Sequence, residues 1–135
     1  MTEHESHYPL VEQSCEILRA ASGRALNDIT PEALAAGELT ADDLRIRAET
    51  LCVQAEIAAT AGYPQLAANL RRAAELTALP NDELLRAYEA LRPGRSTIAE
   101  IRALADRLET EYGARETAAF VREAAEAYAA RGLAQ

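Results

Sequence analysis

The stretch from Arg71 to Glu100, RRAAELTALPNDELLRAYEALRPGRSTIAE, decides the fold. It reads as two helices and the start of a third, separated by a Leu79-Pro80-Asn81 turn and an Arg92-Pro93-Gly94-Arg95 turn. A proline cannot supply the amide that a helix interior needs, and it pushes the residue before it toward extended backbone. Pro80 and Pro93 therefore cut a run of strong helix formers into separate rods. Asn81 is placed to cap the second rod, whose apolar positions are Leu84, Leu85, Tyr88 and Leu91. Thr97 with Glu100 three residues on is a capping box, in which hydroxyl and carboxylate each take a backbone amide of the other.

The same punctuation continues outward. Beyond Thr97, Ile101, Leu104, Ala105, Leu108 and Tyr112 recur on one helical stripe, and Gly113 ends it. A last helix from about Ala114 to Arg131 carries Phe120, Val121, Ala124 and Tyr128. Toward the N-terminus, Tyr63-Pro64 opens a helix with Leu66, Leu70, Ala73 and Ala74 along one face. Before it, a helix from about Ala48 to Ala61 carries Leu51, Ala55, Ala58 and Ala61 and stops at Gly62. Thr40 with Asp43 is a second capping box, with Asp in place of the usual Glu or Gln. Thr30-Pro31 opens a short helix that Gly37 stops. Tyr8 to Arg24 is ambiguous, with Val11, Cys15 and Leu18 giving at most one short helix. No segment alternates with period two for long enough to be a strand. The expectation is an all-α fold, one compact bundle of short and medium helices over residues 8–135, behind a disordered polar tail at 1–7.

A chain of 135 residues makes one domain. Leu, Ile, Val and Phe make up only 27 of them, or 20%, the lower edge for globular proteins. Most of the remaining apolar content is alanine, which favours helix but buries little area. Such a chain can be strongly helical with a thin core, as suits a subunit that completes its burial against a partner or a modestly stable monomer. All 14 basic residues are Arg. Arg suits interfaces through its planar, two-pronged bonding, and the same usage also follows from a GC-rich genome. A net charge of -8 argues against nucleic acid as a partner. No apolar run is long enough to span a membrane, and the polar, acidic start is unlike a secretory signal. Cys15 and Cys52 have no metal or redox spacing and read as free thiols of a cytoplasmic protein.

Candidates for chemistry are few. His4 and His7 could hold a metal only weakly, in the tail and with no further His or Cys beside them. The pairs Asp42-Asp43 and Asp82-Glu83 suit acid/base work in type, but each lies in the first turn of a helix, where negative charge offsets the dipole. Cys52 lacks a base within reach, because the only two histidines are in the tail. No glycine-rich phosphate loop or Ser-His-Asp set is present. No catalytic, cofactor-binding or metal residue is therefore assigned. Arg71, Arg72, Arg92 and Arg95 are the polar candidates for recognition, either as solvated charge, with Arg71 pairing Glu75, or as a cationic edge facing a partner's carboxylates.

Several separated pieces of the sequence point further. They are RAAELTA from Arg72 to Ala78, ALRPGRST from Ala90 to Thr97 and AAFVREAA from Ala118 to Ala125, supported by LTADDLRI at Leu39 to Ile46, ETLCVQAEIA from Glu49 and ADRLE ending at Glu109. In this order and spacing the chain resembles, from Tyr8 to about Arg131, the small subunit of adenosylcobalamin-dependent diol and glycerol dehydratases. The resemblance implies a helical subunit of a three-subunit enzyme, assembled as a dimer of heterotrimers. In that family the large subunit, a TIM-type barrel, holds the diol and a metal ion, and adenosylcobalamin lies between the large and medium subunits. An adenosyl radical formed there abstracts hydrogen, the hydroxyl migrates, and loss of water gives an aldehyde. The small subunit packs on the large one and supplies no known catalytic group.

The wording closest to the family's places the expected subunit interface at Arg92, Pro93, Arg95, Phe120 and Arg122. Where the family usually has Thr-Pro before the ETL helix, this chain has Arg47-Ala48, a loss of cap and first-turn proline worth about 1 kcal/mol. Some members carry a longer N-terminal extension linked to packaging in protein-shelled microcompartments, whereas only Met1 to His7 precede Tyr8 here. A cytoplasmic location is expected, in or out of such a compartment. The rival functions are a free-standing helical regulator, for example a DNA binder using Thr40 to Ala61, and an adaptor that has left the dehydratase behind.

Overall fold

The structure, a computed structural model, describes residues 8–134. Seven α-helices and three short 3-10 turns make up the regular structure of those residues, with no strand beyond an isolated bridge between Arg19 and Ala25. The all-α class read from the periodicity is the class observed. The helices fall into two compact units, one ending at Thr77 and the other beginning at Ala78. The expected tail, Met1 to His7, lies outside the described residues, and His4 and His7 with it.

The first unit holds α1 (Leu10–Gln13), α2 (Pro31–Ala35), α3 (Ala48–Thr60) and α4 (Pro64–Leu76), with 3-10 turns at Cys15–Ile17, Leu26–Asp28 and Ala41–Leu44. The Tyr8 to Arg24 segment thus holds one short α-helix, α1, followed by a 3-10 turn. Ser14 breaks it with φ of -149°, and the chain past Leu18 is held by bonds distant in sequence. Ala21 donates its amide to the Arg45 carbonyl at 3.0 Å, and Ser22 to that of Asp42 at 3.3 Å. Thr30 caps α2 as expected, its hydroxyl accepting from the Ala33 amide at 3.2 Å.

Helix α3 starts at Ala48 even though Arg47 in the cap position offers no side-chain bond. Glu49 takes over part of that task. Its carboxylate accepts its own backbone amide and then the Arg47 guanidinium at 3.2 Å, and both hold its pKa below the ordinary value. Helices α3 and α4 form a hairpin whose contact is made by Ala55, Ala58 and Ala67, with Leu70 half-buried beside them. Small side chains there let two helix axes approach at the short end of the usual 8–10 Å range. Leu66, placed on the packed face by its spacing, is instead half exposed; the adjacent Ala67 takes the inward position.

The second unit holds α5 (Asn81–Ala90), α6 (Ile98–Tyr112) and α7 (Arg115–Arg131). Pro80, not Asn81, occupies the cap position of α5, and no side chain caps it. The proline already fixes the extended backbone that a cap residue needs, so the helix opens one residue earlier than the Asn suggests. Leu85 and Tyr88 face solvent at 68% and 61% exposure while Ala87 is buried and Leu84 and Leu91 are partly buried, so half of the expected stripe faces outward. Helix α6 opens on the full capping box, with the Thr97 amide 2.8 Å from the Glu100 carboxylate and the Glu100 amide 3.2 Å from the Thr97 hydroxyl. It buries Ile101, Ala105 and Leu108. Gly113, at φ of +65°, closes it in the left-handed region that only glycine adopts freely. Helix α7 returns along α6 and buries Thr117, Ala118, Val121 and Ala125.

Asp43 anchors the irregular half of the first unit, and its side chain is only 5% exposed. It receives the Ser22 hydroxyl at 2.5 Å, the Thr40 amide at 2.7 Å, the Thr40 hydroxyl at 3.1 Å and the Arg24 guanidinium at 3.2 Å. These donors, Ser22 first, lower its pKa from 3.8 to about 2. A carboxylate depressed on folding adds stability that is full above the unfolded value and is lost as pH falls through the folded one. Between about pH 4 and about pH 2, the melting temperature of the wild type will therefore fall more steeply than that of Asp43→Asn. Thermal unfolding followed by circular dichroism checks this, and parallel slopes would show that Asp43 is not such an anchor.

Candidate subunit interface

The five residues expected to meet a partner all lie in the second unit. Arg92, Pro93 and Arg95 sit in the turn between α5 and α6. Gly94 takes φ of +75°, so a side chain there would be strained. Two bonds tie this turn to the end of α7. The Tyr128 hydroxyl donates to the Leu91 carbonyl at 2.5 Å, and the Gly94 amide donates to the Leu133 carbonyl at 2.7 Å. Arg92 and Arg95 converge on one carboxylate, Glu89, at 3.1 and 3.2 Å. Both guanidiniums and Glu89 are more than half exposed, so the corner carries two cations on one anion at the surface.

Phe120 and Arg122 are elsewhere. Phe120, on the exposed side of α7, precedes Tyr128 by eight residues, or roughly 12 Å along the axis. Arg122 is two residues on, about 200° around the helix. It bridges to α6, reaching Asp106 at 2.8 Å and Glu109 at 2.6 Å. The bond to Asp106 and then that to Glu109 raise its pKa further above the ordinary arginine value. Arg122 thus fastens α7 to α6. The five residues form three separate places, not one patch.

The other arginines singled out also serve the chain's own packing. Arg71 reaches across the α3–α4 hairpin to Glu56 at 3.2 Å, and Arg72 bonds Asn69 at 3.3 Å. Among the paired acids, Asp43 is consumed by its anchor role, and Glu83 is held by Arg86 at 2.9 Å and Arg107 at 2.8 Å. The Cys15 thiol points to the Asn27 side-chain oxygen at 3.3 Å, and Cys52 is exposed. No three of His, Cys, Asp and Glu gather as a metal site among the described residues.

The larger surface feature was not among the candidates. Of the twelve large apolar side chains left exposed among the described residues, nine belong to the first unit, including Leu34, Leu44, Ile46 and Tyr63. A signal for part of it was present in Asp43-Leu44-Arg45-Ile46-Arg47, where apolar and charged residues alternate in a segment too short to bury either set.

The family model described as the dehydratase small subunit matches residues 3–135. The chain belongs to the dehydratase small-subunit family. The propanediol dehydratase small subunit of Citrobacter freundii is 49% identical over 130 residues, covering 96% of this chain and 76% of that protein. That of Salmonella typhimurium is 50% identical over 126 residues, covering 93% and 73% respectively. The dehydratase small-subunit reading is thus upheld, and those of a free-standing regulator and an adaptor are not. No helix among the described residues is long and apolar enough to cross a membrane.

Tyr128 ties the turn at 91–95 to α7. Tyr128→Phe removes one hydroxyl donor from a half-buried carbonyl and will cost about 1 kcal/mol of stability. Urea unfolding monitored by circular dichroism measures it, and an unchanged midpoint would show that the Leu91 carbonyl needs no such partner.

Proposed function

We propose that this chain is the small subunit of an adenosylcobalamin-dependent propanediol dehydratase, an enzyme that converts a 1,2-diol to an aldehyde and water. The observation that carries the proposal is the half-identity, across more than nine-tenths of the chain, to two proteins named propanediol dehydratase small subunit. In this reading it joins a large and a medium subunit in a dimer of heterotrimers in the cytoplasm. It stabilises the large catalytic subunit and gives no group to the reaction.

Its physical character suits a buttress. Sixteen apolar residues form the buried core among the described residues, and ten of them are alanine. Twelve much larger apolar side chains remain at the surface. Burying a leucine-sized side chain is worth about 1.5–3 kcal/mol, so several such groups covered by a partner would outweigh much of what the alanine core supplies alone. The acidic balance of the chain suits a protein partner better than a nucleic acid.

Adenosylcobalamin supplies the radical that starts the reaction, and the proposal assigns its binding to the large and medium subunits. Three grooves within the units, lined by Leu44 and Ile46, by Leu10 and Val53, and by Ala87 and Leu104, measure about 250, 140 and 250 Å³, each below the roughly 300–1,000 Å³ of ordinary small-molecule sites and too small for a corrin. No step of the reaction is assigned to residues of this chain.

Diol-to-aldehyde turnover of the three co-expressed subunits, compared with the large and medium subunits alone, tests the proposal. The complete set will retain activity through incubation while the pair loses it faster or assembles poorly. Equal activity and equal lifetime of the two preparations would overturn the proposal.

A further inference from the structure

In the first unit, Leu18, Leu26, Ile29, Leu44 and Ile46 line an open groove of about 250 Å³. Leu44 and Ile46 stand at its mouth, 69% and 61% exposed. Its walls are almost wholly apolar, so it does not offer the convergent polar groups that orient a small metabolite. The backbone beneath is fixed from both sides. The Leu26 amide bonds the Leu18 carbonyl at 3.1 Å, and the Ala21 amide bonds the Arg45 carbonyl at 3.0 Å. Asp43, also lining the groove, has its carboxylate filled by Ser22, Thr40 and Arg24. Such a groove costs little ordering when it is covered.

Its charge sets it apart from the chain around it. Arg19, Arg45 and Arg47 all line it, against the single carboxylate of Asp43, in a protein of net charge -8. Their present partners are local and replaceable. Arg19 donates to the Gly23 carbonyl at 3.1 Å, Arg45 holds Asp42 at 3.4 Å, and Arg47 holds Glu49 at 3.2 Å, with Asp42 and Glu49 both mostly exposed. An apolar floor within a rim of arginines matches the composition of energetically dominant interface patches, where charge is excluded from the centre and Arg is enriched.

We infer that this groove is the seat of the larger catalytic subunit, and that it receives a segment with a large aliphatic or aromatic side chain flanked by carboxylates. The inference rests on the proposed dehydratase role and places the contact on the first unit rather than on the Arg92 to Arg95 turn or Phe120. The side chain fills the space between Leu44 and Ile46, and the carboxylates take up the rim arginines.

The test is the affinity of the full-length chain for the purified large and medium subunits, measured by surface plasmon resonance. Leu44→Asp plus Ile46→Asp places two anions at the mouth and will weaken binding by roughly 30-fold or more. Leu85→Asp plus Tyr88→Asp, on exposed residues of the second unit, will leave it within about 3-fold. The helical circular dichroism of each variant is checked first. If the Leu44 and Ile46 pair unfolds the chain, Arg19→Glu plus Arg47→Glu replaces it, and is expected to lose affinity and to flatten the dependence on salt. Wild-type affinity in the groove variant overturns the inference while leaving the dehydratase role standing. No binding by the wild type overturns both.

Discussion

Alanine at the helix contacts is the constraint on which the rest of the structure depends. Ala55, Ala58 and Ala67 join α3 to α4, and Ala105, Ala118 and Ala125 are among the residues buried on α6 and α7. Contacts so small bring backbones close and specify the hairpins sharply, yet each removes little apolar area from water. Ile101 is the single large side chain that is fully buried among the described residues. What a larger core would have absorbed is left outside, on Leu34, Leu44, Ile46, Leu85, Tyr88 and others.

Polar ties make up part of the shortfall. Arginines cross from helix to helix, Arg71 to Glu56, Arg107 to Glu83, Arg122 to Asp106 and Glu109, and Arg102 to Glu126 at 2.6 Å. Exposed pairs of this kind fix geometry more than they add stability. Asp43 does the same for the segment with little regular structure, gathering Ser22, Arg24 and Thr40 on one carboxylate. The outcome, within each unit, is helices held by close alanine contacts and surface ion pairs with few large side chains inside.

The sequence announced its boundaries better than its faces. Thr30, the Thr97–Glu100 box, Gly62 and Gly113 act within one turn of their own position, so the local chemistry sufficed. Asn81 misled by one residue because Pro80 already supplied the cap geometry. Leu66, Leu85 and Tyr88 were set on packed faces by their spacing, but alanine flanks each of these helices on several sides. Where small residues surround a helix, the face that packs is chosen by the neighbour's shape, which periodicity does not carry. The turns before Arg24 were hidden for another reason. They depend on carbonyls near residues 42–45, and no local pattern records such a bond. The family likeness was legible in several separated stretches. Arg122, chosen for its wording, also ties α7 to α6, and most of the exposed large apolar side chains among the described residues lie in the first unit.

Amide hydrogen exchange of this chain, free and in complex with the larger dehydratase subunits, tests the account most directly. It predicts that protection in the first unit rises on assembly, most around Leu44 and Ile46, as its apolar surface is covered. Full protection already present in the free chain, and unchanged by the other subunits, would contradict it.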